Sequence, residues 1–287
     1  MTEVTLPILL MIRRKLPELS GNFRVIAEQI LTHPKEIINE KVSDLAKRSC
    51  CDAAQIVRLC QRLGFEGFSD LKNRIIEELL NQRRTLDSQI PHPENSFDQL
   101  KKKFADDFNR TINDTLHEIQ EEQMLKALEL LRKARLILIS GFGSSGLVAR
   151  DLQTKLLRLG FCAMFLEDAE NLRTLCTTLT KDDLLIAISF CGSTKYLLDD
   201  VNIATRNNAV VIGLTNYPDS PLARSATVTL LTTADEQQLR LGAMGSIVSQ
   251  YLVVDLLISL LARKNKKKTE ERIIAMFEKS TTSEMKI

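Results

Sequence analysis

The sequence predicts a two-part α/β protein, in which an all-α module over roughly the first 80 residues precedes a doubly wound parallel sheet. Three observations predict it. In the first part, apolar residues recur three and four positions apart, the helical period. After residue 134, short continuous apolar runs alternate with helical patterns, as expected of buried parallel strands joined by crossover helices. Between the two parts lies a polar stretch holding Pro91 and Pro93. A chain of 287 residues, 44% hydrophobic and 26% charged, has material for two cores, which excludes disordered, collagen-like and coiled-coil-only classes.

Taken in order, Phe23, Ile26, Ala27, Ile30 and Leu31 share one face of a helix over 20–31, which Pro34 stops. Ile37 and Ile38 mark a short second helix. Ser43 and Asp44 open a third, ending near Arg48. A break at Ser49, Cys50 and Cys51 follows, and Asp52 caps a fourth helix carrying Ile56, Cys60 and Leu63 and closed by Gly64. Phe65, Phe68 and Leu71 lead into a fifth, with Ile75 and Leu79. Short helix, four-residue break and second helix are the parts of a helix-turn-helix.

Residues 81–96 have the composition of a linker. Leu100, Phe104, Phe108, Ile112 and Leu116 then form an apolar stripe on a helix, and another helix runs to about Leu131. Strands are expected at 135–140, 161–166, 184–190, 210–214 and 227–231, and an amphipathic helix over 239–263 closes the domain. A basic stretch over 263–268 reads as a solvated connection to a last short helix. The expected division is 1–80, 81–124 as linker and connecting helix, 125–265, and 266–287 as helix and tail.

Charge separates the two parts slightly: up to Arg84 the net is +3, and the rest carries −1. A nucleic-acid footprint therefore belongs to the first part. In the helix after Asp52, Gln55, Arg58 and Arg62 fall on a face away from Ile56, Cys60 and Leu63. Such a face is either merely solvated or a major-groove reader, since Gln pairs bidentately with adenine and Arg with guanine.

The second candidate site is Ser140-Gly-Phe-Gly-Ser-Ser-Gly146, a glycine loop between a strand and a helix whose N-terminal N–H groups would face an anion. It fits the G-x-G-x-x-G pattern, and Glu167 follows about 20 residues on, so a dinucleotide site is one reading. A second hydroxyl-rich loop, Ser189-Phe-Cys-Gly-Ser-Thr194, ends the third strand. Two such loops on one crevice suit a small phosphorylated, polyhydroxylated ligand better. Catalysis would fall to Glu167, Asp168, Glu170, Asp235 or Glu236 or to a lysine, because His33, His92 and His117 all precede the sheet. Cysteines 50, 51, 60, 162, 176 and 191 lack zinc-ligand spacing, so free thiols and no metal site are expected. Positive charges follow the first apolar run, and no apolar segment reaches 18 residues, the run over 251–261 being interrupted by Asp255. A cytoplasmic protein without a membrane partner is expected.

Leu45-Ala46, the 52–58 segment and Cys60-Gln-Arg-Leu-Gly-Phe-Glu-Gly-Phe-Ser-Asp-Leu71 resemble the N-terminal helix-turn-helix of RpiR-type bacterial transcription regulators. The loops at 141–146 and 189–194, with Lys155-Leu-Leu-Arg-Leu-Gly160 and Ser220-Pro-Leu-Ala223, resemble the sugar isomerase (SIS) domain that such regulators carry. The resemblance covers nearly the whole chain in the right order. It implies a homodimer or homotetramer that binds double-stranded operator DNA, responds to a phosphosugar effector and turns nothing over, without a cofactor. DNA-binding residues would be Gln55, Arg58 and Arg62; effector-binding residues would be Ser144, Ser145, Ser189, Cys191, Ser193 and Thr194. A sugar-phosphate isomerase with a glutamate base is the alternative, and a dinucleotide-binding redox regulator comes third. Cys50 stands where the family has a turn glycine, so the turn must avoid a left-handed conformation or bear strain. Cys191 replaces a serine of the phosphate loop, removing one hydroxyl donor.

Overall fold

The computed structural model describes residues 8–89, 94–235, 242–264 and 266–284, which form two compact units. Pro91, Pro93, Glu236 and the expected first residues of the helix at 239 lie outside the described residues.

In the first unit, α1 (Ile8–Lys15) and a 3₁₀ turn (Leu16–Glu18) precede α2 (Gly21–Thr32), α3 (Pro34–Ile37), α4 (Val42–Arg48), α5 (Ala53–Leu63) and α6 (Phe68–Gln89). Helix α1 was not expected from the periodicity; it contributes Ile12 to a core that also holds Ile26, Ile30, Leu45, Ile56, Leu59, Leu71 and Ile75. Every buried member of that core lies between residues 12 and 75. The first nine residues of the expected linker are helical, because α6 runs on to Gln89. Good helix formers such as Gln82, Arg83, Arg84 and Leu86 extend it, and nothing before Pro91 forbids the helical conformation.

The second unit holds α7 (Phe97–Glu118), α8 (Glu121–Lys133), β1 (Ile137–Gly141), α9 (Ser144–Leu159), β2 (Ala163–Phe165), α10 (Ala169–Cys176), β3 (Leu184–Ile188), α11 (Lys195–Arg206), β4 (Val210–Thr215), α12 (Pro221–Ser225), β5 (Val228–Leu231), α13 (Met244–Lys264) and α14 (Lys266–Glu284). All pairings are parallel in the order β2-β1-β3-β4-β5. Strand residues alternate between two cores. Ile137, Ile139, Ile186, Ile188 and Ile212 join α8, α9 and α13 on one face; Leu138, Leu185, Ala187 and Val211 join α10, α11 and α12 on the other. Strand β3 ends two residues earlier than its apolar run, since Ser189 and Phe190 turn into the loop that follows.

Helix α13 is long and apolar enough, by length and composition, to cross a membrane, with a window of mean hydropathy 1.7. In this fold its Val253, Val254, Leu257 and Leu261 are buried in the sheet's core. Asp255 does not interrupt the helix, because it faces outward and meets Lys155 of α9. The last helix, expected to be short, is 19 residues long.

Candidate functional site

The helix-turn-helix is built by its helix ends. Helix α4 ends in a Schellman arrangement: the N–H of Cys51 donates to Ala46 O at 3.0 Å and that of Cys50 to Lys47 O at 3.2 Å. This places Cys50 at φ 51°, the left-handed region that its missing glycine would adopt freely. The turn therefore keeps the left-handed geometry and bears the strain. Asp52 then starts α5 with a reciprocal cap, its carboxylate accepting from Gln55 N at 2.7 Å while Gln55 Oε1 accepts from Asp52 N at 3.2 Å.

That cap changes what Gln55 can offer, because the same Oε1 also accepts from Asn22 Nδ2 of α2 at 3.1 Å. Its oxygen is engaged twice; only its amide protons are left for a base edge. Arg62 lies with its guanidinium carbon 5.9 Å from the Phe23 ring centroid. Arg58 is exposed, restrained only by a 3.4 Å contact from its Nε to Ala54 O. Sequence reasoning missed Gln61, exposed one turn beyond Arg58 on the same face, although the i, i+3 rule that grouped Gln55 with Arg58 also reaches it.

The crevice lies where strand order reverses. Strand β2 lies on one side of β1 and β3 on the other, so the loops leaving β1 and β3 diverge at adjacent carboxyl ends about 4.8 Å apart. In the first loop Gly143 has φ 58°. A Cβ at Gly141 would meet Ser145 O at 2.8 Å, so glycine there lets α9 close onto its strand. Ser144 begins α9 half-buried, and Ser145 is buried with its Oγ accepting from Gln250 Nε2 at 3.2 Å. Because Gln250 donates, the Ser145 hydroxyl proton is left to point elsewhere.

The second loop is pinned from outside. Thr215 Oγ1 and Asn216 N donate to Phe190 O at 3.1 and 3.0 Å, and Leu222 N donates to Gly192 O at 3.0 Å. Gly192 has φ 60°, and a Cβ there would lie 2.2 Å from Ser220 Oγ. Ser220 itself caps α12 by accepting from Ala223 N at 3.1 Å. Within the loop, Ser189 Oγ accepts from Gly192 N and contacts Thr194 Oγ1, both at 3.1 Å. Cys191 Sγ lies 3.7 Å from both hydroxyls. Burial pushes the Cys191 thiol up, but hydrogen bonds from the Ser193 hydroxyl and N–H, and then from Ser189 and Thr194, outweigh it and hold the thiol below its usual range. Ser189, Cys191 and Thr194 are thus in mutual contact, with Ser193 bonded to Cys191 and Ser145 on the neighbouring loop. The arrangement is a cradle of donors at the N-termini of α9 and α11, where both helix dipoles favour negative charge.

Behind it lies a carboxylate that sequence reasoning did not select. Asp200 of α11 is 1% exposed, accepts from Ser140 Oγ at 2.8 Å and has its other oxygen 4.0 Å from Arg173 Nε. Desolvation raises it to about 6, against lowering by Ser140 and Arg173. Two of the five carboxylates named as candidate bases are engaged elsewhere: Glu167 is paired with Arg150, and Asp168 caps α10 by accepting from Asn171 N at 2.8 Å. Among the described residues, no group of three or more His, Cys, Asp or Glu side chains could hold a metal ion.

Two family profiles match the chain: a helix-turn-helix domain of the rpiR family over residues 6–82 and a SIS domain over residues 130–260. An uncharacterized HTH-type transcriptional regulator of Caldanaerobacter subterraneus is 33% identical over 239 residues, 83% of this chain and 84% of that protein. The uncharacterized HTH-type regulator YbbH of Bacillus subtilis is 30% identical over 254 residues, 88% of each chain. Among solved structures, the Vibrio vulnificus NanR protein complexed with ManNAc-6P superposes with a TM-score of 0.63 at 26% identity, covering 94% of this chain and 97% of that one.

Proposed function

The chain belongs to the RpiR family of helix-turn-helix transcriptional regulators with a SIS domain, and on that premise we propose that it binds operator DNA through α5 and is controlled by a phosphosugar held between the loops at 141–145 and 189–194. The observation that carries this reading is the donor cradle of Ser189, Ser193 and Thr194 at the strand-order reversal, in a fold shared with a regulator whose structure holds ManNAc-6P. Ser144 and Ser145 would complete the phosphate's shell from α9. Cys191 in place of a serine would turn a strong donor into a weak one. We assign DNA binding to residues 1–80, connection to 81–124, sensing to 125–265 and a helical tail to 266–287, in a cytoplasmic homodimer or homotetramer.

Arg58 is the residue we assign to base readout, with Gln61 beside it, whereas Gln55 would act through its amide protons and Arg62 along the backbone. Arg58→Ala should then weaken operator binding by about 1–3 kcal/mol and relax specificity at one base pair. Equal loss on every sequence would make it a phosphate contact. No turnover is assigned: the curated relatives are named as transcriptional regulators, and two of the candidate bases, Glu167 and Asp168, serve an ion pair and a helix cap. Thermal shift against a panel of sugar phosphates, followed by a product assay on any that stabilise the chain, tests the reading. A conversion at enzymatic rates would favour the isomerase instead.

A further inference from the structure

The end of the sheet domain opposite the crevice is basic, and holding a phosphosugar in the crevice makes no use of it. Arg132 and Phe161 precede β1 and β2, so the cavity they line with Leu159, Gly160, Thr269 and Arg272 lies at the amino ends of the strands, whereas the crevice lies at their carboxyl ends. Its volume is about 250 Å³, under the roughly 300–1,000 Å³ that encloses a whole small molecule, so it seats a group and leaves the rest of its ligand outside. Two guanidiniums meet there, and no described lining residue is acidic. Arg272 is held in place: its Nη1 donates to Leu159 O, and its guanidinium lies against Gly160, where any Cβ would take its space. That bond uses one of five N–H donors. Arg132 is exposed and, among the described residues, pairs with no carboxylate.

The charge around the cavity says what kind of ligand the group belongs to. Within one helical turn of the lining residues stand Lys133, Arg158, Arg263, Lys264, Lys266 and Lys267, all exposed. Helices α8, α9 and α13 end here, each with about half a negative charge at its carboxyl terminus, and part of this basic set serves to balance it. The balance does not absorb the rest. Eight cations and the amino end of α14, set against those three helix ends and against Glu129, Glu270 and Glu271, leave a surplus of roughly four positive charges. The chain beyond Arg84 carries a net −1, so the surplus is a segregation of charge that net composition hides. One free phosphate would need only the two arginines. A surface this broad matches a row of phosphates, and duplex DNA presents one, with a charge for about every 1.7 Å of its axis. Guanidinium forks fit phosphate oxygens, and the lysines serve neighbouring phosphates as point charges. We infer that this end of the sheet domain grips the phosphate backbone of duplex DNA, with one phosphate seated between Arg132 and Arg272. The inference rests on the DNA-binding reading above and adds to it a contact without sequence information, made by the unit that does not read bases.

The test is the salt dependence with which the full chain binds a labelled duplex of scrambled sequence, read by fluorescence anisotropy between about 50 and 200 mM salt. Arg132→Gln, Lys266→Gln and Lys267→Gln together remove three exposed charges without touching a core. This triple variant should bind the scrambled duplex at least about tenfold more weakly near 100 mM salt and lower the slope of log affinity on log salt by about two to three. Its preference for an operator selected from random duplexes by the wild type should be unchanged, because backbone contacts do not distinguish sequences. Lys126→Gln, Arg150→Gln and Arg224→Gln remove the same charge away from the cavity and should leave the slope as it is. An equal drop in both variants reduces the effect to net charge and overturns the site. A wild-type slope in the first variant also overturns it, while the DNA-binding reading stands as long as the wild type prefers its operator. A wild type that binds no duplex overturns both. Inorganic tripolyphosphate is the remaining arm: if the first variant loses tripolyphosphate but keeps DNA, the cavity serves a free polyphosphate and the backbone assignment falls.

Discussion

Cys191 and Asp200 are both withdrawn from solvent near the crevice, and their surroundings push them in opposite directions. Around Cys191 burial raises the thiol, but the hydrogen bonds from Ser193, Ser189 and Thr194 outweigh it and hold the thiol below its usual range. Removing one donor should be felt directly: Thr194→Ala is expected to weaken phosphosugar binding at least tenfold, the equivalent of about 1.5–3 kcal/mol, in a calorimetric titration. Asp200 has too few partners for its burial and is raised to about 6. An acid raised on folding holds its proton more tightly in the folded chain, so its contribution is neutral below pH 4 and becomes a growing penalty as pH climbs to about 6. Asp200→Asn keeps an acceptor for Ser140 and cannot ionise. It should therefore be more stable than wild type above pH 7, by up to about 3 kcal/mol, with the difference vanishing toward pH 4, read from denaturant midpoints across pH. A gain independent of pH would assign the effect to packing instead. Neither pairing was legible from the sequence: 105 residues separate Ser145 from Gln250 and 60 separate Ser140 from Asp200, and only the folded sheet brings each pair together.

Helices and strands were more legible than their ends. Continuous apolar runs located all five described strands, because a parallel sheet covered on both faces leaves no polar alternation to confuse them. Where β3 stops depends on Ser189 and Phe190 turning toward β4, which no local pattern encodes. The length of α14 was missed because its exposed Ile273, Ile274 and Met276 make no clear periodic face. Four helices end at a left-handed residue. Helices α5, α9 and α11 each end in a left-handed Gly64, Gly160 or Asn208, whereas α4 ends in left-handed Cys50. Because Cys50 is exposed and glycine takes its φ freely, Cys50→Gly should stabilise the first unit by about 1 kcal/mol, read as a shift in denaturant midpoint at unchanged slope. A loss would mean that the greater freedom glycine gives the unfolded chain outweighs the relief of strain.

At the scale of the whole molecule, DNA reading and ligand sensing belong to separate units, so they can be broken separately. Thr194→Ala should leave operator affinity unchanged without effector while abolishing the response to it, and Arg58→Ala should do the reverse. Linkage requires that operator DNA change effector affinity by the factor by which effector changes DNA affinity, commonly 5–150-fold, which paired titrations check. If neither ligand shifts the other, the sheet domain is no sensor of this operator. The separation also has a consequence in time. All buried residues of the first core lie between residues 12 and 75, whereas β1 must find β3 across 47 residues of chain and α13 closes the second core only near the far end. During synthesis at about 5–20 residues per second, the DNA-reading unit emerges and can fold some 10–40 s before the last helix of the sensor is made. For that interval each newborn chain carries its reader without its sensor.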